Sequence, residues 1–277
     1  MIQLNNITFG YRKKVNLFDN LSLTLEFGKI YGLFGVNGAG KTTLLKQISG
    51  LLKPSSGSIV INDLHIGARS ASSLATVFLV PEEFNLPSIS IQRFVELNAP
   101  FYKDFDASLF ELSMKEFDLQ LDKNLGTLSY GQKKKFLISF GLAAQTSLLL
   151  LDEPTNGLDI PSKSQFRKIM AKIASDDRCI VISTHQVRDL SSMIDHAVMV
   201  NKGKIVFDHS YRAISENLTF KHVTGDVPEN AIYVENHASG NNVICKSSND
   251  ESEVDLEILF NGVIKDAHTI NQAIKTA

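Results

Sequence analysis

The chain opens on a rough alternation of apolar and polar positions in "IQLNNITFGY" and "LSLTLEFG", set around turn-forming stretches. Such a pattern predicts antiparallel strands with one face in water. It then changes to a short apolar run, "KIYGLFG", a glycine-rich turn, and "KTTLLKQISG", whose helical spacing ends on Gly50. That order predicts strand, loop, helix. The runs "TVFLV", "LLLLD" and "CIVIST" are continuously apolar, as expected of parallel strands covered by helices on both sides. Between the last two, Phe166, Ile169, Met170 and Ile173 recur at i, i+3, i+4 and i+7 and predict a helix with one buried face. The fold class is therefore α/β, with an antiparallel β portion at the start.

From about residue 85 to 146 helical patterns outnumber strand patterns, which predicts an inserted helical lobe. Within "HAVMVNKGKIVFDHS", Asn201-Lys202-Gly203 reads as a hairpin turn. The patterning then weakens. "SGNN" and the acidic "SSNDESE" read as exposed loops, and "DLEILFNGV" restores a helical stripe through Leu256, Leu259, Phe260 and Val263. Residues 218–277 are expected to form a small, separate accessory region.

With 277 residues, 43% hydrophobic and 21% charged, the chain can bury one large core or two modest ones. A net charge of -2 and a pI near 6.4 give no overall basic field. Nucleic-acid binding would need a local patch, and beyond the lysines of "TLSYGQKKK" there is none, so no nucleic-acid partner is expected. Cys179 and Cys245 sit in apolar, strand-like runs, where cysteine acts as a small hydrophobe, which favours free thiols and a reducing compartment. The N-terminus lacks the pattern of a signal peptide, and the most apolar run, Phe136 to Leu151, falls short of the ~20 residues of a membrane span. The expected location is the cytoplasm.

The chemistry concentrates in two motifs. "GVNGAGKTT", Gly35 to Thr43, fits G-x-x-x-x-G-K-[ST] between a predicted strand and a predicted helix. Its backbone from Asn37 through Gly38, Ala39 and Gly40 can close N-H groups around phosphate oxygens. Lys41 can neutralise the β and γ phosphates, Thr42 can offer a hydroxyl to Mg²⁺, and Thr43 completes the loop. The alternative is a glycine-rich turn that binds nothing. "LLLLDEPTNGLD" puts Asp152 and Glu153 at the C-terminal end of a buried strand, where α/β sheets bind ligands. Asp152 is placed to hold Mg²⁺ through water, and Glu153 to orient or deprotonate an attacking water. A solvated acidic turn is the alternative. His185, just past another apolar strand, can reach the same edge and a γ-phosphate, or be a surface residue. "TLSYGQKKK" taken alone is a helix start with a solvated basic face.

Together, the glycine-rich loop, the strand ending Asp-Glu-Pro-Thr, the following "GLD", the "THQ" and the intervening "LSYGQ" resemble the nucleotide-binding subunit of an ABC transporter. The likeness extends over residues 1 to about 215. It implies a P-loop NTPase core with an inserted helical subdomain, in an ATP-binding domain of residues 1–217, and an ATPase using ATP and Mg²⁺. It places the family's signature at Leu128 to Gln132, its D-loop at Asn156 to Asp159, its switch histidine at His185 and its adenine-stacking aromatic at Tyr11, for which packing is the alternative. By the same resemblance, Ser129, Gly131, Gln132 and Asp159 serve nucleotide sandwiched between two copies, or between this chain and a paralogous subunit. The lysines then follow as ordinary solvated residues. The chain departs from the pattern where Glu82 replaces the expected glutamine after Val80-Pro81. That position normally contacts the metal and the membrane subunit. The single module with a short C-terminal region is similar to ATPases of bacterial ABC-2 type exporters. This implies a separate permease and a peripheral place on the inner membrane face. Importer ATPases and soluble ABC ATPases acting on ribosomes, nucleic acid or assembly complexes are the alternatives.

Overall fold

A computed structural model describes residues 1–12, 14–173, 177–247 and 252–274. β1 (Ile2–Phe9) and β2 (Phe18–Leu25) pair antiparallel, with Ile2 opposite Leu25 and Phe9 opposite Phe18. β3 (Ile30–Phe34) is buried at all five positions and leads through the glycine-rich loop into α1 (Lys41–Ile48). β4 (Ser56–Ile61) and the short β5 (Leu64–His65) complete a sheet of order β2-β1-β4-β5. α2 (Ala71–Leu74) and β6 (Val77–Val80) precede the helical lobe of α3 (Ile91–Asn98), α4 (Ala107–Glu116) and α5 (Tyr130–Ala143). Then follow β7 (Leu148–Asp152), α6 (Ile160–Lys172), β8 (Cys179–Thr184), β9 (His196–Asn201), β10 (Lys204–Ser210) and α7 (Tyr211–Asn217).

The second sheet has the order β10-β9-β3-β8-β7-β6, parallel except for the β9-β10 hairpin. Its continuous apolar runs follow from burial on both faces. Leu149, Leu151, Ile180 and Ile182 enter one core, while Leu148, Leu150, Cys179 and Val181 enter the other, against the first sheet and α1. The parallel register matters for function. Phe34 lies opposite Thr184, Asp152 opposite Ser183, and Val80 opposite Leu151. The residues that follow, Gly35, Pro81, Glu153 and His185, are thereby delivered to one sheet edge.

After residue 217 come β11 (Leu218–Val223), β12 (Ala231–His237), β13 (Gly240–Lys246) and α8 (Leu256–Ala273). The strands form a sheet of order β11-β13-β12. The stretch "SGNN", read from sequence as a loop, gives its last residues to β13, where Asn241 and Asn242 pair with Val223 and His222. Backbone pairing overrides their turn preference there. Of "SSNDESE", residues 248–251 lie outside the described residues. α8 breaks at Asp266 (φ -150°, ψ 82°), whose carboxylate accepts from the Thr269 N-H at 3.1 Å and restarts the helix. Ile244, Leu259, Val263 and Ile270 share a continuous apolar cluster with Phe166, Ile180, Met199 and Phe207. Both cysteines are free and buried.

Candidate nucleotide site

α1 differs from the other helices at its start. α3, α4, α5, α6 and α8 begin with a Ser or Asp side chain that accepts from the first turn, the usual way to satisfy unpaired N-H groups. α1 begins with Gly40 and has no side-chain cap. Its N-H groups and dipole are left for an anion. Gly40 adopts φ +109°, and a Cβ there would meet the Phe18 ring at 2.7 Å, so no other residue fits without strain. A Cβ on Gly38 would meet nothing within 4 Å, and there the backbone alone, at φ +80°, favours glycine. Lys41 projects into this loop, donating to the Gly35 carbonyl at 2.8 Å and lying 3.7 Å from Glu153 Oε1. Burial lowers its pKa, while Glu153, Asp152 and Glu82 oppose that shift in favour of the charge.

A cavity of about 860 Å³ is lined by Tyr11, Asn37, Gly38, Ala39, Gly40, Lys41, Thr42, Thr43, Glu82, Glu153, Asn156 and His185. Glu153 is 5% exposed and has φ +45°, an uncommon conformation for a carboxylate residue. Three contacts over-determine it. Thr184 Oγ1 donates to Oε2 at 3.0 Å, the His185 N-H donates to Oε1 at 3.0 Å, and His185 Nδ1 lies 2.9 Å from Oε1. Ser183 Oγ donates to Asp152 Oδ1 at 2.5 Å. Asp152 is 2% exposed, behind the cavity wall. Tyr11 is exposed at the mouth, its hydroxyl 3.0 Å from Thr43 Oγ1 and its ring edge-on to Phe9.

Ser129, Gly131, Gln132 and Asp159 do not line this cavity. Ser129 and Gln132 form a reciprocal capping box at the start of α5, exchanging bonds of 3.3 and 3.0 Å. Asp159 caps α6 through the Ser162 N-H at 3.0 Å. Glu82 faces the cavity, and its Oε1 accepts from Asn156 Nδ2 at 3.0 Å. Sequence reasoning missed two participants. Asn156 was placed in a loop and given no role of its own. Lys134, read as part of a solvated basic face, is fully buried, because it lies three and four residues before Leu137 and Ile138 on the inward face of α5. That periodicity was the available signal. Burial lowers the Lys134 pKa to about 8, against the opposing charges of Asp152, Glu82 and Glu153.

The arrangement can grip a polyphosphate at α1 and hold one carboxylate ready beside it. Among the described residues no group of three or more His, Cys, Asp or Glu side chains could hold a metal ion. A divalent ion here would therefore share its shell between few protein oxygens, phosphate and water.

Comparison with known proteins agrees with this chemistry. The sequence model of the ABC transporter family matches residues 18–156. The energy-coupling factor transporter ATP-binding protein EcfA2 of Staphylococcus epidermidis is 32% identical over 227 residues, covering 74% of this chain and 78% of that protein. The lantibiotic transport ATP-binding protein SrtF of Streptococcus pyogenes is 28% identical over 219 residues, covering 79% and 94%. The solved dimer of the ATP-binding cassette MJ0796, in a post-hydrolysis state with ADP and Pi, superposes with a TM-score of 0.66 at 22% identity, covering 76% and 98%, and supports the fold. With a family match over the core and a phosphate cradle facing a fixed carboxylate, the chain belongs to the ABC transporter family, as an ATP-binding subunit that hydrolyses ATP.

Proposed function

We propose that two copies of this chain, or this chain and a paralogous subunit, close head to tail on two ATP molecules and drive a separate membrane permease, in the direction of export. The observation that carries the reading is a separation. Ser129 and Gln132 are exposed, and with Gly131 they stand outside the cavity that holds Lys41 of their own chain. They are free to meet the phosphates held by another. Asp159 caps the helix that follows the D-loop turn and belongs to the same face in this reading.

Within each site, α1 and Lys41 bind the phosphates and Tyr11 covers the base. The Thr42 hydroxyl, Asp152 through water and Glu82 would hold a Mg²⁺ ion, which would supply neutralisation of the phosphate charge. Glu153 orients and deprotonates the attacking water, and His185, already against Glu153, reaches the γ-phosphate. The dimeric MJ0796 cassette supports the two-chain reading. On the helical lobe, Leu97 and Phe101 are exposed and suit contact with an apolar partner. No helix among the described residues is long and apolar enough to cross a membrane, so membrane attachment is assigned to the permease. The export assignment rests on the likeness of the short C-terminal region to ABC-2 type ATPases.

The test is twofold. Glu153→Gln should retain ATP while phosphate release falls by about a hundredfold or more, the scale of a lost general base. Undiminished turnover would remove the carboxylate from the reaction. Purification from native membranes should recover one multispan protein, and vesicles bearing the pair should move cargo away from the ATP side. Recovery of ribosomal proteins instead would overturn the transporter partnership.

A further inference from the structure

Two lysines are buried among the described residues, Lys41 and Lys134. The first faces phosphate. The second faces only protein, although an apolar side chain would fill its place without the cost of burying a charge. Its partners explain it. Lys134 Nζ donates to the carbonyls of Pro81 at 3.0 Å, Asp152 at 3.1 Å and Glu82 at 3.5 Å. Pro81 and Glu82 follow the end of β6, and Asp152 ends β7, so the sheet ladder has run out where these carbonyls point inward. An ammonium group carries three donors and can serve all three.

A second donor from the same helix reaches the same loop. Tyr130 Oη donates to the Glu82 carbonyl at 2.5 Å, and its ring stacks on Phe84 with centroids 5.2 Å apart at 16°. Lys134 Nζ lies 5.7 Å from the centroid of that Phe84 ring. On its far side Tyr130 meets the turn after β7, where a Cβ on Gly157 would come within 2.8 Å of the ring. Asn156, from that turn, holds the Glu82 carboxylate. One turn of α5 thus grips both chain segments that carry acidic groups into the nucleotide cavity.

We propose that Lys134 and Tyr130 are positioning residues for ATP hydrolysis: together they clamp the Glu82 loop and the Asp152-Glu153 end of β7 onto α5. Neither touches the cavity. They act through Glu82 and Glu153, whose placement depends on the backbone they hold, and the inference rests on the assignment of Glu153 to the water. Phosphate binding at α1 and Lys41 is built independently of them. At saturating Mg²⁺ the clamp should therefore act on turnover more than on nucleotide affinity.

The experiment compares steady-state kcat and KM for ATP in wild type, Tyr130→Phe, Lys134→Met, Lys134→Arg and the Tyr130→Phe/Lys134→Met double variant, each first checked for folding by its Tm. Tyr130→Phe keeps the ring stack and removes one donor. It should lower kcat about fivefold, the scale of one lost hydrogen bond, with KM within about twofold. Lys134→Met should lower kcat by more than about tenfold because the Pro81 and Asp152 carbonyls lose this donor and the Glu82 carbonyl keeps only Tyr130. Lys134→Arg should recover part of that loss. The double variant should fall less than the product of the single effects, because both donors act on one carbonyl. Wild-type kcat in Tyr130→Phe, or in a folded Lys134→Met, overturns the clamp, as do losses that multiply independently or that appear in KM alone. Should Lys134→Met fail to fold, Tyr130→Phe and Lys134→Arg decide by the same criteria. Glu153→Gln run alongside keeps the two failures apart, since its wild-type turnover would remove the water assignment while a kcat loss in Tyr130→Phe would still stand.

Discussion

Glu82 stands where the family resemblance implies a glutamine, and its surroundings bear on what the extra charge does. Its carboxylate accepts from Asn156 and acts electrostatically on Lys41, in the wall of the nucleotide cavity. A glutamine would keep an oxygen for Asn156 and lose the negative charge. At ~4 Å, one unit charge acts on another by about 1 to 4 kcal/mol between water-like and surface-like dielectric. If Glu82 faces the metal as proposed, its charge should oppose nucleotide binding without metal and favour it with Mg²⁺. Glu82→Gln should therefore make ATP binding less dependent on Mg²⁺ concentration, while Glu83→Gln, altering an exposed neighbour, should leave the dependence unchanged. A metal titration of fluorescent-nucleotide binding measures this, and superposable curves for wild type and Glu82→Gln would remove Glu82 from the metal's surroundings. A single substitution also limits what sequence alone conveys: the Glu82 side chain was identifiable by position, but its bond to Asn156 joins residues 74 positions apart.

Among elements, α5 links the helical lobe to the site, and its aromatic packing sets how firmly. Phe140 lies 5.2 Å from Phe105, 5.5 Å from Phe94 and 5.6 Å from Phe78 between ring centroids, so lobe helices and the β6 edge meet on one side chain. Phe140→Ala should cost about 3 to 5 kcal/mol of unfolding free energy, the range for a buried Phe truncated to a cavity. Denaturant unfolding checks it, and a loss below about 1 kcal/mol would mean that the lobe closes over the gap. The elements legible from sequence were those whose pattern reflects burial directly. β7 and β8 are apolar at nearly every position because both faces are covered, and α6 carries Phe166, Ile169 and Met170 inward as its spacing predicts. β11, β12 and β13 were not legible. Lys221, His222, Glu235, Asn241 and Asn242 sit in those strands, and most of β12 is only half-buried, so no period of two emerges. The phosphate loop and the Asp152-Glu153 pair were legible as motifs, since their chemistry is local in sequence. The carbonyls gripped by Lys134 were not, because they become neighbours only when β6, β7 and α5 pack.

At the scale of the whole molecule, Lys41 at α1 and Ser129 at the cap of α5 are connected through β7 and the Glu82 loop, and in the proposed reading they are the two faces of a composite site. If Ser129 and Gly131 serve a second chain, lesions on the two faces should complement each other. A Lys41→Ala chain has lost its own phosphate grip but still offers an intact Ser129-Gly131 face. A Gly131→Asp chain keeps Lys41 but places a carboxylate on that face. A Cβ at Gly131 would meet Leu158 at 3.9 Å and, tightly, the Gly157 carbonyl at 3.1 Å, so the Gly131→Asp chain is first checked for folding by its Tm. In the mixed dimer one site is then whole and the other carries both lesions. Mixing the two inactive chains should restore ATP retention at one nucleotide per dimer, measured by equilibrium dialysis, together with ATP-dependent association measured by light scattering. The Lys41→Ala parent alone should show neither, and the Gly131→Asp parent, which keeps its own phosphate grip, should bind nucleotide without ATP-dependent association. Full-rate hydrolysis by a monomer, independent of protein concentration, would place all the chemistry within one chain and overturn the composite site.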